Sequence, residues 1–187
     1  MTLLKLKNRI TKGYNIKEEL IIRKKLETIT DWSIEFNQNY ENKYDYDLCC
    51  FKHTIENNEI GYKKKLIGYI EVEISPDWKT YDIPENWYEI SFLKRKCFLW
   101  DYNTEQWTKT PKKNYNKTIY LKANKNFTNC FCINIKDIIK KANNSNRNNN
   151  TYKGDFLIMN KIDVKWGWDE IVTLIENLIN NINTNIN

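Results

Sequence analysis

The chain has 187 residues, 41% of them apolar and 14% aromatic, with 7 Trp, 12 Tyr and a net charge of +6. That apolar and aromatic load excludes a disordered chain, and a single histidine excludes any metal or acid–base site that needs two from one chain. With 5 glycines, no Walker or GxGxxG phosphate loop fits anywhere.

The length predicts a single domain spanning 1–187, large enough to bury a core without staples. The cysteines are odd in number, 5 in all. No apolar segment of signal-peptide or membrane-spanning length is present, so the expectation is an intracellular protein with no membrane contact. The modest positive charge permits a nucleic-acid or acidic partner without demanding one.

In chain order, residues 15–29, "NIKEELIIRKKLETI", predict a helix. Asn15 is placed to cap it, Glu18 completes a capping box, and Ile22, Leu26 and Ile29 form the apolar stripe. The stretch 37–46 reads as a polar loop. From about 46 to 135 the period falls to two, which predicts a β-rich middle. "YDLCCFKH" (46–53) is a short strand and "KKLIGYIEVEIS" (64–75) the clearest one. In the latter, alternation puts Leu66, Gly68, Ile70, Val72 and Ile74 on one face and Tyr69, Glu71 and Glu73 on the other. A polar second face predicts an antiparallel sheet wet on one side.

Residues 75–86 form a loop carrying Pro76 and Pro84. Further strands are predicted at 87–93, 97–100, 117–122 and 129–135, with "DYNTEQ" as a hairpin connection and Asp137 opening one or two helical turns to 142. The segment 143–151, "NNSNRNNNT", is an Asn-rich surface loop. Strand and C-terminal helix follow over 155–182, the helix carried by Ile171, Leu174, Ile175, Leu178 and Ile182. These elements predict an α+β fold. A mainly antiparallel twisted sheet, or a half-open barrel, has its N-terminal and C-terminal helices packed on one face.

Three groups of residues could carry chemistry. The first is "GDFLIMNKIDVKWGWDEI" (154–171), where Asp155, Asp163 and Lys165 are strung through a strand pattern and "MN" offers a tight turn. The arrangement resembles the hairpin of nucleases of the Asp…(Asp/Glu)-x-Lys type. That resemblance implies Mg²⁺ held by Asp155 and Asp163, with Lys165 orienting the attacking water. The same triplet also occurs at Glu41–Lys43 and Asp77–Lys79. Simple alternation gives another account, in which Ile162, Val164 and Trp166 point inward and Asp163 and Lys165 face solvent.

The second group is Cys49, Cys50, Cys130, Cys132 and His53. It lacks the C-x-x-C spacing of a zinc site and reads as buried strand residues.

The third group is the interleaving of lysines and aromatics. Trp78, Lys94, Arg95, Lys96, Trp107, Lys109, Lys112, Lys113 and Tyr115 lie in or beside loops, together with the run Lys63–Lys65. Such residues can anchor a protein interface or stack on bases along a phosphate backbone. The composition therefore favours a small non-catalytic protein without a cofactor. It would engage a macromolecule through these loops, a protein partner before nucleic acid, as an inhibitor, immunity or viral accessory factor would. A Mg²⁺-dependent nuclease is the competing class.

Overall fold

The computed structural model describes residues 16–37, 46–55, 62–104, 106–145 and 156–184. Helix α1 (Ile16–Ile29) leads into strand β1 (Ser33–Phe36). The long hairpin of β2 (Leu48–Ile55) and β3 (Tyr62–Ser75) follows. The next segment holds β4 (Glu89–Leu93), the single-turn helix α2 (Lys94–Cys97), β5 (Phe98–Asp101) and β6 (Gln106–Pro111). The chain then returns as β7 (Thr118–Asn124), β8 (Cys130–Asn134), helix α3 (Ile135–Lys141) and β9 (Asn143–Ser145). It closes with β10 (Phe156–Asn160), β11 (Lys165–Trp166) and helix α4 (Asp169–Thr184).

The main sheet has six strands in the order β1-β2-β3-β7-β8-β11. Its pairs are antiparallel except β3–β7, which runs parallel. Among the described residues the sheet is open, with β1 and β11 at its edges, and it does not close into a barrel. A three-stranded sheet, β4-β10-β9, and the isolated β5–β6 hairpin complete the architecture.

Both long helices cover one face of the main sheet. Ile22 and Leu26 of α1 and Ile171 and Ile175 of α4 are fully buried in one cluster with Ile34, Leu48, Ile70, Ile119 and Leu121. The spacing of four residues between the buried pairs places each pair on one side of its helix. Acidic residues in the first turns, Glu18 and Glu19 in α1 and Asp169 and Glu170 in α4, complement the helix dipoles. Gly167 turns the chain from β11 into α4 at φ 105°, a backbone angle that suits glycine, while its N–H donates to the Cys130 carbonyl at 2.9 Å.

The opposite face is also covered, contrary to the one-sided sheet that alternation predicts. A second cluster joins Tyr120, Phe131 and Ile133 of the main sheet to Ile90 and Phe92 of β4 and Leu157 and Met159 of β10. Ile135 and Ile138 of α3 complete it. Alternation along one strand reports which residues share a face, and a second layer brought from elsewhere in the chain leaves no mark on it.

Other local expectations change as well. Ile67 has no cross-strand partner between the pairs Cys50–Gly68 and Phe51–Leu66, which marks a bulge. The extra residue flips the register, so Ile67 enters the core while Leu66 is 40% exposed. The α3 helix starts earlier than Asp137, with the Asn134 side chain accepting from the Lys136 N–H at 2.8 Å as its cap. Asn143–Ser145, expected as loop, pairs with β10 as β9. The expected cap Asn15 and the loop residues 38–45 and 146–151 lie outside the described residues. Among the described residues no helix is long and apolar enough to cross a membrane.

Candidate functional site

The stretch 154–171 does not form the alternating strand expected of it. Met159 and Asn160 belong to β10, and a 3₁₀ turn, Lys161–Asp163, separates β10 from β11. Asn160 caps that turn by accepting from the Ile162 N–H. Ile162 is consequently 81% exposed rather than inward, while Val164 is buried and Trp166 packs against the second cluster. Asp163 pairs with Lys141 at 3.1 Å, and Lys165 is exposed on β11 opposite Cys132. Asp155 lies outside the described residues, and with it any approach of Asp155 to Asp163.

The loop residues expected to form a binding surface separate into two sets. Trp78 is fully buried, stacked on Phe131 with ring centroids 6.5 Å apart, its indole N–H donating to the Asp82 carbonyl at 2.9 Å. Lys112 is 4% exposed, so it too belongs to the interior. Lys96 is largely buried, and Tyr115 packs against the second cluster. Arg95, Lys109 and Lys113 are exposed and Lys94 is half-buried. Trp107 takes its place in the β5–β6 hairpin opposite Trp100. The cysteines, all five free, are buried, and burial pushes the Cys50 and Cys132 thiols far above their ordinary range. They behave as small apolar residues.

What the structure does bring together is a set of buried charges on the second face of the sheet. Leu48 pairs with Ile70, so Asp47, one residue earlier, lies across the hairpin from Glu71. Residues directly opposite in a pleated pair share a face. Asp47 Oδ2 accepts from the Val72 N–H at 2.8 Å, which fixes the carboxylate at the mouth of the hairpin. Lys96 Nζ, delivered by α2, reaches Asp47 Oδ2 at 3.4 Å and also ion-pairs with Glu71 Oε1.

Glu71 is 1% exposed. Among the described residues its second oxygen, Oε2, has no hydrogen-bond partner, and neither has Oε2 of Glu73 nor the hydroxyl of buried Tyr120, which pairs with Glu71 in the β3–β7 register. Two residues further along the same face, Glu73 binds Lys122 at 2.7 Å.

Lys112 completes the cluster. Its ammonium lies 5.3 Å from the centre of the Tyr46 ring, and its backbone N–H donates to the Cys97 carbonyl at 3.0 Å. Burial drives the Lys112 pKa down to about 8, helped by the neighbouring Lys96 charge and opposed by Asp47. Burial also raises Cys97 to about 12, against the pull of Lys112 and Lys96.

Buried polar atoms in folded proteins nearly always find partners, and an unpaired buried carboxylate oxygen is expensive. Among the described residues, three unpartnered oxygens gather on this face: Glu71 and Glu73 of β3, and Tyr120 of the neighbouring β7, with Lys96 and Lys122 beside the acids. The donor set is hard oxygen throughout. Among the described residues no three His, Cys, Asp or Glu side chains gather closely enough to form an all-protein metal cage. Mg²⁺ does not need one: it keeps much of its water and is held by one or two carboxylates plus substrate phosphate. Asp47 and Glu71 supply two carboxylates of that kind, one of them with an oxygen unpartnered among the described residues.

The sequence hid this cluster because Glu71 and Glu73 alternate with apolar residues as any solvated strand face would. The available signal was the coincidence of Asp47 at a strand start, an E-x-E strand and the Lys94–Lys96 run. Only the covering layer turns these into one site.

No protein-family pattern matches the chain, and no curated protein matches it by sequence. Among solved structures, a nuclease from a fusselovirus superposes with a TM-score of 0.44 at 15% identity, covering 89% of this chain and 90% of that one. Likeness of that degree establishes neither a shared fold nor a shared activity.

Proposed function

We propose that the chain is a divalent-cation-dependent nuclease whose centre is Asp47 and Glu71, with Lys96 and Lys112 beside them. The observation that carries this reading is the convergence of two carboxylates on Lys96 Nζ, one of them fully buried with an oxygen left over. It moves the chemistry from Asp155, Asp163 and Lys165 to the β2–β3 hairpin.

Asp47 and Glu71 would hold Mg²⁺, which when bound polarises a phosphodiester and makes water a better nucleophile. The protein's own groups do the rest. The Val72 N–H orients Asp47 and leaves its other oxygen free to turn outward. Lys96 supplies positive charge where charge accumulates on the phosphate during attack, in a site dry enough for that charge to count. Lys112 Nζ, whose hold on its proton is weakened by burial, is suited to take a proton from the attacking water near pH 8. The Glu73–Lys122 pair braces the neighbouring strand.

The test is incubation of the protein with single- and double-stranded DNA and RNA in Mg²⁺ or Mn²⁺. Cleavage is expected, with a loss of at least about 100-fold in Asp47→Asn and Glu71→Gln variants that keep the native circular dichroism. No cleavage of any of these substrates, or full activity in both variants, overturns the reading.

A second reading, a protein-binding role, is favoured by one exposed patch. Tyr88 is 74% exposed beside Ile162, with the Lys161 ammonium 5.7 Å from the Tyr88 ring centre. Exposed aromatic and aliphatic side chains of this kind anchor interfaces. A pull-down that recovers a stoichiometric partner from wild type and loses it with Tyr88→Ala and Ile162→Ser supports that role; identical recovery removes the patch from consideration.

A further inference from the structure

The β2–β3 hairpin is longer than the sheet it belongs to. β1 pairs only with Leu48–Phe51 and β7 only with Tyr69–Ser75, so among the described residues Lys52–Ile55 and Tyr62–Lys65 continue as a two-stranded ribbon paired to no other strand. Its strands carry Lys52, His53, Lys63, Lys64 and Lys65, and no acidic residue. The register places Lys52 directly opposite Lys65 and His53 directly opposite Lys64. Lys63, opposite Thr54, falls on the same face as Lys52 and Lys65. Like charges directly opposite each other destabilise a hairpin.

Lys64 pairs with Glu35 and lies 4.0 Å from the centre of the Phe51 ring, and Lys52 stands 4.0 Å from the exposed Asp31. Surface pairs of this kind are weak and give way to a better anion. Lys63, Lys64 and Lys65 are all exposed. The bulge at Ile67 sits at the root of the ribbon, where it bends and twists the strands away from the sheet plane.

We propose that this ribbon grips a double-stranded nucleic acid by its phosphates. The major groove of a duplex, about 12 Å wide, admits a two-stranded β-ribbon, and a row of lysines on one ribbon face matches a phosphate strand. The ribbon and the acidic centre share strand β3, but across the bulge the Lys52, Lys63 and Lys65 row turns to the side of α1 and α4, while Asp47 and Glu71 lie on the other side. The inference rests on the nuclease reading only in naming a duplex as the substrate, which the ribbon holds independently of the centre.

The experiment measures binding of a labelled 20-base-pair duplex without divalent cation, so that no cleavage intervenes, across a salt series. In Lys63→Gln/Lys65→Gln the affinity is expected to fall about tenfold or more at low salt. The slope of log affinity against log salt should shrink by about 2. Lys63→Arg/Lys65→Arg should restore both. Unchanged affinity and slope in the glutamine variant overturn the proposal, as does poly-glutamate of equal charge competing as well as the duplex. Cleavage assayed in Mg²⁺ separates the two readings. A chain that cleaves duplex but binds it without regard to the ribbon lysines refutes the ribbon alone. A chain that binds through the ribbon and cleaves nothing refutes the nuclease centre alone.

Discussion

The two faces of the main sheet are built to different rules. The face under α1 and α4 is mainly apolar, filled by isoleucine, leucine, valine, phenylalanine, tryptophan, alanine and cysteine, with Glu19 of α1 buried on the side of Ile22 and Leu26. The face under β4, β10 and α3 is aromatic, and into it are set Glu71, Lys112 and partly buried Asp47, Lys96, Glu73 and Lys122. A protein that needed only to fold could have covered both faces in the first manner. Burying an ion pair rarely improves on an apolar pair of the same volume. The difference teaches where to look for function: the second face sets several charges together in its interior, where the first buries Glu19 alone among its apolar side chains.

The sharpest way to break that comparison is to make the second face like the first. Lys96→Met alone leaves Glu71 and Asp47 buried beside an apolar chain and should cost about 3–5 kcal/mol in urea unfolding. Lys96→Met/Glu71→Leu should recover most of that loss or exceed wild type, while remaining inactive toward nucleic acid. A double variant as unstable as the single one would make the pair structural. On the first face, Ile175→Ala removes a fully buried side chain. It should cost about 2–5 kcal/mol and leave the specific activity of the folded fraction unchanged.

Lys112 gives a pH handle on the same contrast. In the folded chain its pKa lies near 8, against an ordinary 10.5. Below pH 8 both states carry the proton, and the fold bears the whole cost of a buried ammonium. Between pH 8 and 10.5 the folded amine is neutral while the unfolded one still binds a proton, so that cost is relieved. The stability of wild type relative to Lys112→Met should therefore rise through this window by up to about 3 kcal/mol. Taking the difference removes groups that do not sense Lys112; Cys97, whose thiol Lys112 holds down, is not among them. A flat difference would place Lys112 in water. The smallest effect belongs to Asp163→Ala. Its ion pair with Lys141 is partly exposed, so stability should fall by less than about 1 kcal/mol and cleavage should be unaffected. Loss of cleavage would return the centre to the C-terminal stretch.

Much of the architecture was legible. The periods of two and 3.6 separated strands from helices, and the stripes Ile22–Leu26 and Ile171–Ile175 put both helices on one face. Local spacing carries that information because it repeats within a few residues. Sequence spacing did not reveal what depends on distant segments meeting. Glu71 looked solvated because its cover comes from β4, α2 and β10. Ile162 looked buried because a 3₁₀ turn stabilised by Asn160 breaks the alternation before it. Trp78 and Lys112 looked like surface groups because both sit outside regular strands. The candidate centre, assembled from a hairpin, a one-turn helix and a returning strand, was legible only as separate fragments.

The parallel pairing of β3 with β7 has a further consequence, for the order in which the molecule assembles. The β2–β3 hairpin closes over a short loop and can form early, with Asp47 and Glu71 still in water. β7, bearing Tyr120 and Lys122, can dock only after everything between Ser75 and Thr118 has been gathered in, and such long closures are slow. Tyr120→Phe should therefore leave the folding rate nearly unchanged and act mainly on the unfolding rate, which stopped-flow mixing can measure. Dehydration of the acids, and any competence that comes with it, then arrives with the last steps of folding.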